Sequence, residues 1–138
     1  MKVKIEKTVN ILNKRARFEY EILEEYEAGI VLTGTEIKSL RSSKASITES
    51  FCQFIEDELY VINMMIDEYK LGTFYNHKIK RERKLLLHKY ELQKLKKKLK
   101  DVGNTIIPLK LYINNSGKAK LLVALARGKK LYDKRSEE

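Results

Sequence analysis

The chain has few side chains in the spacing that a catalytic site requires. Of its two histidines, His77 has no cysteine or carboxylate neighbour at metal-ligand spacing, and His88 lies on the apolar stripe of a predicted helix. It contains no phosphate-binding glycine loop, nucleophile elbow or zinc-protease motif, and no nucleophile with a base to activate it. We therefore predict a binding protein rather than an enzyme, with no cofactor, no metal and no small-molecule substrate.

Acidic side chains form two clusters, EEYEAG at 24–29 and EDE at 56–58. Such clusters suit either a divalent cation or solvent. The first falls in a predicted strand pair and the second in a predicted turn, which favours solvated acids. An RNA-processing enzyme that uses these acids with a metal remains an alternative.

Positive charge is concentrated in two segments of this 138-residue chain, whose net charge is +10. Residues 78–100 hold eleven Lys or Arg against two Glu, and residues 127–135 hold five against one Asp. The remainder is slightly negative. Concentrated cations favour a polyanion, because neutralising phosphates releases counterions. We predict a nucleic-acid partner, and the absence of helix-turn-helix, zinc-finger and basic-zipper patterns favours structured RNA over DNA.

Length and composition indicate one domain in a reducing compartment. The size is typical of a single domain. The lone cysteine, Cys52, falls in an apolar run and is predicted to be buried. No segment approaches the ~20 apolar residues of a membrane span, and the N-terminus lacks the apolar core of a signal peptide. We expect a cytoplasmic protein with no membrane partner.

Alternation of apolar residues predicts hairpins. Residues 18–32 read as two strands with a turn near Ala28-Gly29, and residues 51–66 as a hairpin turning at 56–58. Residues 104–129 read as a hairpin turning at 114–117, with Pro108 at an edge or bulge. We predict a mainly β protein, a six-stranded antiparallel barrel with two to three helices, one of them covering an end; an open α+β sandwich is the alternative.

Two helices and one long loop complete the prediction. A short helix carries Leu40, with Thr35 as its cap. Residues 85–102 read as a helix whose apolar stripe includes His88 as a core or boundary histidine, and Gly103 ends it. Residues 69–84 read as a long basic loop. Aromatic residues flank that loop and suit either stacking on bases or packing onto the barrel: Tyr69, Phe74 and Tyr75.

Three motifs together resemble the SsrA-binding protein family, also called small protein B. They are NKRARFEYEILEEYEAGIVLTGTEIKSLR at 13–41, RKLLLHKYEL at 83–92 and ARGKKLYDKR at 126–135. The resemblance implies an oligonucleotide-binding-like barrel that binds the tRNA-like domain of transfer-messenger RNA. It further implies delivery of that RNA to stalled ribosomes, where trans-translation tags the nascent peptide, without catalysis by the protein itself.

The same resemblance assigns RNA contact to ten residues. Asn13 is suited to a base edge or ribose, the cations to phosphates, and Glu27 to a base amino group or to Lys14. Leu40 is expected in the core, and Leu85, Leu86 and Leu87 are expected to seat the helix. The RNA-contact set is Asn13, Lys14, Arg15, Glu27, Lys38, Arg41, Lys80, Arg81, Arg83 and Lys84.

The resemblance divides the chain into an RNA-binding barrel, 1–128, and the start of a basic tail, 129–138. In the family this tail continues as a long basic segment that orders at the decoding region of the ribosome. Here Ser136-Glu137-Glu138 follows, so we expect a shortened tail, intact RNA capture and impaired tagging. The ribosome-facing residues are Lys129, Lys130, Asp133, Lys134 and Arg135. A structural ribosomal protein is the main alternative function.

Overall fold

Six antiparallel strands close into a barrel in a computed structural model that describes residues 9–71 and 76–129. The elements in chain order are β1 (Asn10–Leu12), α1 (Ala16–Glu19), β2 (Tyr20–Ile30), α2 (Gly34–Arg41), β3 (Ala45–Ser46), β4 (Phe51–Ile55), β5 (Glu58–Ile62), β6 (Met65–Ile66), β7 (Arg83–Leu86), α3 (Lys89–Lys98), β8 (Asn104–Ile113) and β9 (Ala119–Gly128).

The ring runs β8-β4-β5-β7-β2-β9 and closes through pairing of β9 with β8. The short β1 adds to β8 outside the ring, and β3 pairs with β6 as a separate ribbon. Closure removes free strand edges from the ring. The predicted antiparallel barrel with flanking helices is confirmed.

Alternation along β9 builds two apolar layers. Leu121, Val123 and Leu125 point into the barrel core. Ala124 and Ala126 point outward and are covered by α1 through Ala16, together with residues of β8. Cys52 is buried inside the barrel, as predicted, and burial raises the pKa of its thiol.

Two of the three predicted turns are confirmed. Glu56 and Asp57 connect β4 and β5 with φ values of 50° and 71°, the left-handed conformation that a tight two-residue hairpin needs. The segment 114–117 lies in the connection from β8 to β9, and Gly117 has φ 81°. The pairing of β8 with β9 shifts register between Pro108 and Lys110, so the predicted bulge is also present.

The prediction of two strands over residues 18–32 was wrong. No turn interrupts Ala28-Gly29, because β2 runs unbroken from Tyr20 to Ile30 and pairs with β9 and then also with β7. The cap of α2 is Thr33 rather than Thr35. The Thr33 N–H donates to Oε1 of Glu36 (2.8 Å), and the Glu36 N–H donates to the Thr33 hydroxyl (3.4 Å), a capping box.

The third helix is shorter than predicted. It begins at Lys89, because Leu85 is backbone-paired with Ile30 in β7 and belongs to the barrel core. His88 is exposed just before the helix, so the prediction of a core or boundary histidine within the helix was also wrong. Val102 is 96% exposed, whereas Leu95 is fully buried.

Helix α3 closes one end of the barrel, between the end of β7 and the start of β8. Leu95 enters the core, and Leu92 and Leu99 pack against it. Lys98 pairs with Glu24 on β2, and Lys96 pairs with Asp57 in the β4–β5 turn. Within the described residues, no helix is long and apolar enough to cross a membrane.

Candidate nucleic-acid interface

An open groove of about 680 Å³ lies where the ends of β2 and β7 meet the β8–β9 turn. We call it the Glu27 groove. It is lined by Glu27, Gly29, Ile30, Leu32, Ile37, Leu86, Leu87, His88, Glu91, Gly117, Lys118, Ala119 and Lys120.

The floor of the groove is apolar and partly open to solvent. Leu86 is 53% exposed, and Leu32 and Ile37 are half-buried beside it. The backbone partner of Leu86 is Gly29, where a β-carbon would lie at van der Waals contact, 3.4 Å from Cβ of Leu86. An exposed apolar floor is suited to the flat face of a base or a ribose.

The rim of the groove carries charges of both signs. Glu27 is exposed on β2, and Lys120 on β9 is the backbone partner of Gly29, two residues further along β2. Lys118 extends the positive side. A carboxylate accepts hydrogen bonds from base amino groups, and lysines pair with phosphates. The groove therefore carries groups suited to stacking on a base, to hydrogen bonds with a base edge and to pairing with a phosphate.

An aromatic pair stands beside the groove. The ring of His88, which lines it, stacks on Tyr90 with centroids 5.5 Å apart and an interplanar angle of 13°. Both residues are exposed. His88 was predicted to be a core or boundary histidine, so sequence reasoning missed it as an exposed group. It also missed Lys118 and Lys120, although they alternate with the core residues Ala119 and Leu121 and so had to point outward.

Four exposed cations lie on and near α2, a surface we call the α2 face: Lys38, Arg41, Lys78 and Lys80. Within residues 9–71 and 76–129 none of the four pairs with a carboxylate. The ammonium of Lys38 lies 5.5 Å from the centroid of the Tyr69 ring, a cation–π distance. Asn76 holds Tyr69 by accepting from its N–H and donating to its carbonyl.

Arg81 and Arg83 turn inward from the same segment. Arg83 has no exposed surface, and its Nε donates to Oε2 of Glu36 over 2.8 Å. Arg81 keeps 31% of its side chain exposed and binds both oxygens of the same carboxylate. The predicted loop 69–84 is therefore partly ordered structure: Arg83 and Lys84 begin β7, and residues 72–75 lie outside the described residues. Lys84 is half-buried and lies 3.5 Å from Glu58.

Asn13, Lys14 and Arg15 form the junction between β1 and α1, apart from the Glu27 groove. The amide of Asn13 donates to the Pro108 carbonyl (3.0 Å), at the β8 bulge. Its side-chain oxygen is buried and has no hydrogen-bond partner in the described part of the chain. Lys14 is exposed, and Arg15 pairs with Glu19 and Glu49. In this conformation Asn13 anchors the junction, and the two cations face solvent.

The first tail residue is attached to α1. The Lys129 N–H donates to the Glu19 carbonyl (2.8 Å), and its Nζ donates to the Arg17 carbonyl (3.1 Å). The structure thereby brings the tail start next to the junction of residues 13–15. Lys130, Asp133, Lys134 and Arg135 lie outside the described residues. The aromatic residues Phe74 and Tyr75 also lie outside them.

The model of the SmpB protein family matches residues 10–138. The chain belongs to the SmpB family. An SsrA-binding protein of Flavobacterium psychrophilum is 64% identical over 129 residues, which cover 94% of this chain and 86% of that protein. One from Thermus thermophilus is 54% identical over 126 residues, covering 91% and 88%.

A solved structure named "tmRNA-SmpB: a journey to the center of the bacterial ribosome" contains a similar chain. It superposes with a TM-score of 0.73 at 52% identity, covering 88% of this chain and 85% of that one. The family resemblance read from the sequence motifs is therefore confirmed. The SmpB fold places the Glu27 groove and the α2 face side by side, since Ile37 of α2 lines the groove.

The acidic clusters do not converge on a metal site within the part of the chain that the structure describes. Glu24 instead accepts hydrogen bonds from Lys98 and Tyr26, which lower its pKa. Asp57 pairs with Lys96, and Glu58 with Lys84. Glu24 and Asp57 thus connect β2 and the β4–β5 turn to α3, and Glu58 connects β5 to β7.

Proposed function

We propose that this chain is an RNA-binding protein of trans-translation. It binds the tRNA-like domain of transfer-messenger RNA and delivers it to stalled ribosomes, where the ribosome is rescued and the nascent peptide is tagged. Its partners are that RNA and the ribosome, and it works in the cytoplasm without catalysis, cofactor or small-molecule substrate.

The observation that carries the proposal is the convergence of Glu27, Leu86 and Lys120 on one groove. Membership of a family whose members are named SsrA-binding protein supports the same function. A base can lie over Leu86 while its amino edge meets Glu27 and the adjoining phosphate meets Lys120. RNA elbows and loops expose bases in this way, whereas a regular duplex does not.

The α2 face supplies the second part of the contact. Lys38, Arg41, Lys78 and Lys80 project into solvent next to the groove and position phosphates without reading sequence. Lys14 and Arg15, together with Lys129, mark a separate basic region at α1. We assign the barrel of residues 1–128, including Lys14 and Arg15, to RNA capture, and the tail residues Lys129, Lys130, Asp133, Lys134 and Arg135 to the ribosome.

Family membership gives no support to the ribosomal-protein alternative. The two functions differ in one measurable property. A structural ribosomal protein stays on ribosomes in cells that lack transfer-messenger RNA, whereas the proposed function requires that RNA for stable recruitment. An RNA-processing enzyme would cleave labelled RNA in the presence of Mg²⁺, and we expect no turnover.

Binding of three RNAs tests the proposal. Fluorescence anisotropy compares a tRNA-like RNA, an ordinary tRNA and an unrelated hairpin over a series of salt concentrations. We expect preference for the tRNA-like RNA, and a log affinity that falls with log salt by about 0.7–0.9 per phosphate contact. Equal affinity for all three RNAs, or an affinity insensitive to salt, overturns it.

A further inference from the structure

The guanidinium of Arg83 is fully used inside the protein. Its five N–H groups face five acceptors: Oε2 of Glu36 (2.8 Å) and the carbonyls of Met64 (2.8 Å), Arg81 (3.2 Å), Lys78 (3.3 Å) and Ile79 (3.1 Å). An arginine has no further donors. Three of the carbonyls belong to the segment 78–81, so one buried side chain fixes the path of that segment.

Glu36 is the centre of this arrangement. Its carboxylate accepts from Arg83, from both Nε and Nη2 of Arg81 (2.9 and 2.8 Å), and from the Thr33 N–H (2.8 Å). The side chain has no exposed surface. Glu36 lies on α2, so the same carboxylate that caps this helix also attaches the segment 78–83 to it.

A second contact repeats the attachment a few residues earlier. Nε2 of His77 lies 2.9 Å from the Ile66 carbonyl, and Nδ1 lies 2.9 Å from the Thr35 hydroxyl. Because a carbonyl only accepts, Nε2 donates to it, and Nδ1 forms the second hydrogen bond with the Thr35 hydroxyl. The segment 76–83 is thus attached to α2 at both of its ends, and Lys78 and Lys80 project from between the attachments.

We propose that Glu36, Arg81 and Arg83 form a positioning cluster that sets Lys78 and Lys80 against Lys38, so that the α2 face meets RNA phosphates already arranged. This inference rests on the proposed function. Arg83 then serves RNA binding without touching RNA, because it has no exposed surface. Arg81 acts chiefly through Glu36, to which two of its nitrogens are committed.

The physical gain is in ordering entropy. Lysine side chains and a free loop lose conformational freedom when they bind, and this loss weakens binding. A backbone fixed before binding avoids the part of that cost that belongs to the loop. A buried ion cluster does not by itself indicate a gain in stability. A role in holding a binding surface in place explains why these charged residues are buried together.

Arg81→Lys tests the proposal, because it keeps the charge and removes the two-pronged contact with Glu36. Arg83 and the capping box remain, so the barrel should fold. We expect tRNA-like RNA to bind about tenfold more weakly, with a salt slope smaller by about one phosphate contact, 0.7–0.9. The matched control is Lys96→Arg, an exchange of the same two residue types on α3, where Lys96 pairs with Asp57 away from the α2 face, and for which affinity should be unchanged.

Amide hydrogen exchange measures, in the absence of RNA, how firmly the segment 76–83 is held in place. The Ile66 N–H donates to the Ile79 carbonyl (3.1 Å), and Arg83 binds the same carbonyl. In Arg81→Lys this amide should exchange faster, while the melting temperature and the exchange of β9 amides stay close to wild type. Arg83→Lys, which leaves buried carbonyls unpaired, should show the same change more strongly and also melt earlier.

The proposal is overturned if Arg81→Lys binds RNA with the wild-type affinity and the wild-type salt slope. It is also overturned if Arg81→Lys binds RNA more weakly while the Ile66 amide exchanges at the wild-type rate, because that result would mean that Arg81 contacts the RNA directly. If the wild-type protein fails to prefer tRNA-like RNA, the proposed function falls. In that case faster exchange of the Ile66 amide in Arg81→Lys still supports the attachment of the segment 76–83 to α2. Unchanged exchange of this amide contradicts that attachment as well.

Discussion

Gly29 and Leu86 are backbone partners across β2 and β7, and a β-carbon on Gly29 would lie at van der Waals contact with Leu86, 3.4 Å from its Cβ. Gly29 has no left-handed conformation to justify a glycine. A β-carbon alone would just fit there, whereas a larger side chain would press on Leu86 at the floor of the Glu27 groove. The shape of the groove floor is therefore sensitive to a bulky residue at position 29.

Gly29→Val should displace Leu86 and fill the groove floor. We expect tRNA-like RNA to bind about tenfold more weakly, or about 1.4 kcal/mol, with the salt slope unchanged because no cation is removed. Anisotropy titrations measure both. Gly34→Ala is the matched control, because a β-carbon there meets nothing within 4 Å. Wild-type binding by Gly29→Val would exclude the groove floor from the interface.

Replacing Lys118 and Lys120 by Ala should lower the salt slope of RNA binding by about 0.7–0.9 for each phosphate that the variant no longer neutralises. Lys96→Ala is the control, since Lys96 pairs with Asp57 beside α3, away from the groove. We expect it to leave the slope unchanged. Equal slopes for the control and the double variant would show that the positive rim contributes only general charge.

Acid should weaken the barrel through Glu36. Burial raises the pKa of Glu36, but hydrogen bonds from Arg81 and Thr33 and the charge of Arg83 outweigh it, so the pKa lies below the ordinary 4.5. The stabilisation is complete above the ordinary value and is lost as pH falls through the lower folded value. Urea unfolding of wild type should therefore show a free energy that declines below about pH 4.5.

Glu36→Gln should remove that part of the decline. At neutral pH it should cost about 3–5 kcal/mol, because it leaves Arg83 buried without its counter-ion. The gap between the two proteins should then narrow as pH falls below about 4.5. Glu21→Gln, an exposed exchange on β2, is the control and should show no narrowing. A constant gap would contradict a lowered pKa for Glu36.

Helix α3 should depend on Leu95 and not on Val102. Leu95→Ala opens a cavity at the covered end of the barrel and should cost about 2–5 kcal/mol of unfolding free energy. Val102→Ala changes a side chain that is 96% exposed and should be close to neutral. Denaturant unfolding measures the stability of both variants. A large loss of stability for Val102→Ala would contradict the exposed position of Val102 and would favour the longer helix that the sequence pattern predicted.

The tail should act separately from the barrel. Replacing Lys129, Lys130, Lys134 and Arg135 by Ala should reduce ribosome binding far more than binding of isolated tRNA-like RNA. The reason is that the groove and the α2 face remain complete in this variant. Sedimentation with ribosomes and anisotropy with free RNA make the comparison. Reductions of the same size in both measurements would rule out a division of labour.

Local patterns predicted most of the strands correctly, because alternation and turn residues act between neighbours in the chain. The wrong predictions concern residues whose secondary structure and burial are set by contacts with residues distant in sequence. Leu85 continues the apolar stripe of α3 in the sequence pattern, but pairing with Ile30 places it in β7. His88 follows the same stripe and ends exposed, because the helix begins only at Lys89.

The basic segment 78–84 shows most clearly which properties follow from the sequence alone and which follow from the tertiary structure. Its sequence determined that the protein carries a dense positive charge suited to a polyanion, since charge depends on composition alone. It could not separate Lys80, which is exposed, from Arg83, which is buried, because both are basic residues of one short segment. The acceptor that draws Arg83 inward is Glu36, 47 positions earlier, and only closure of the barrel brings the two together.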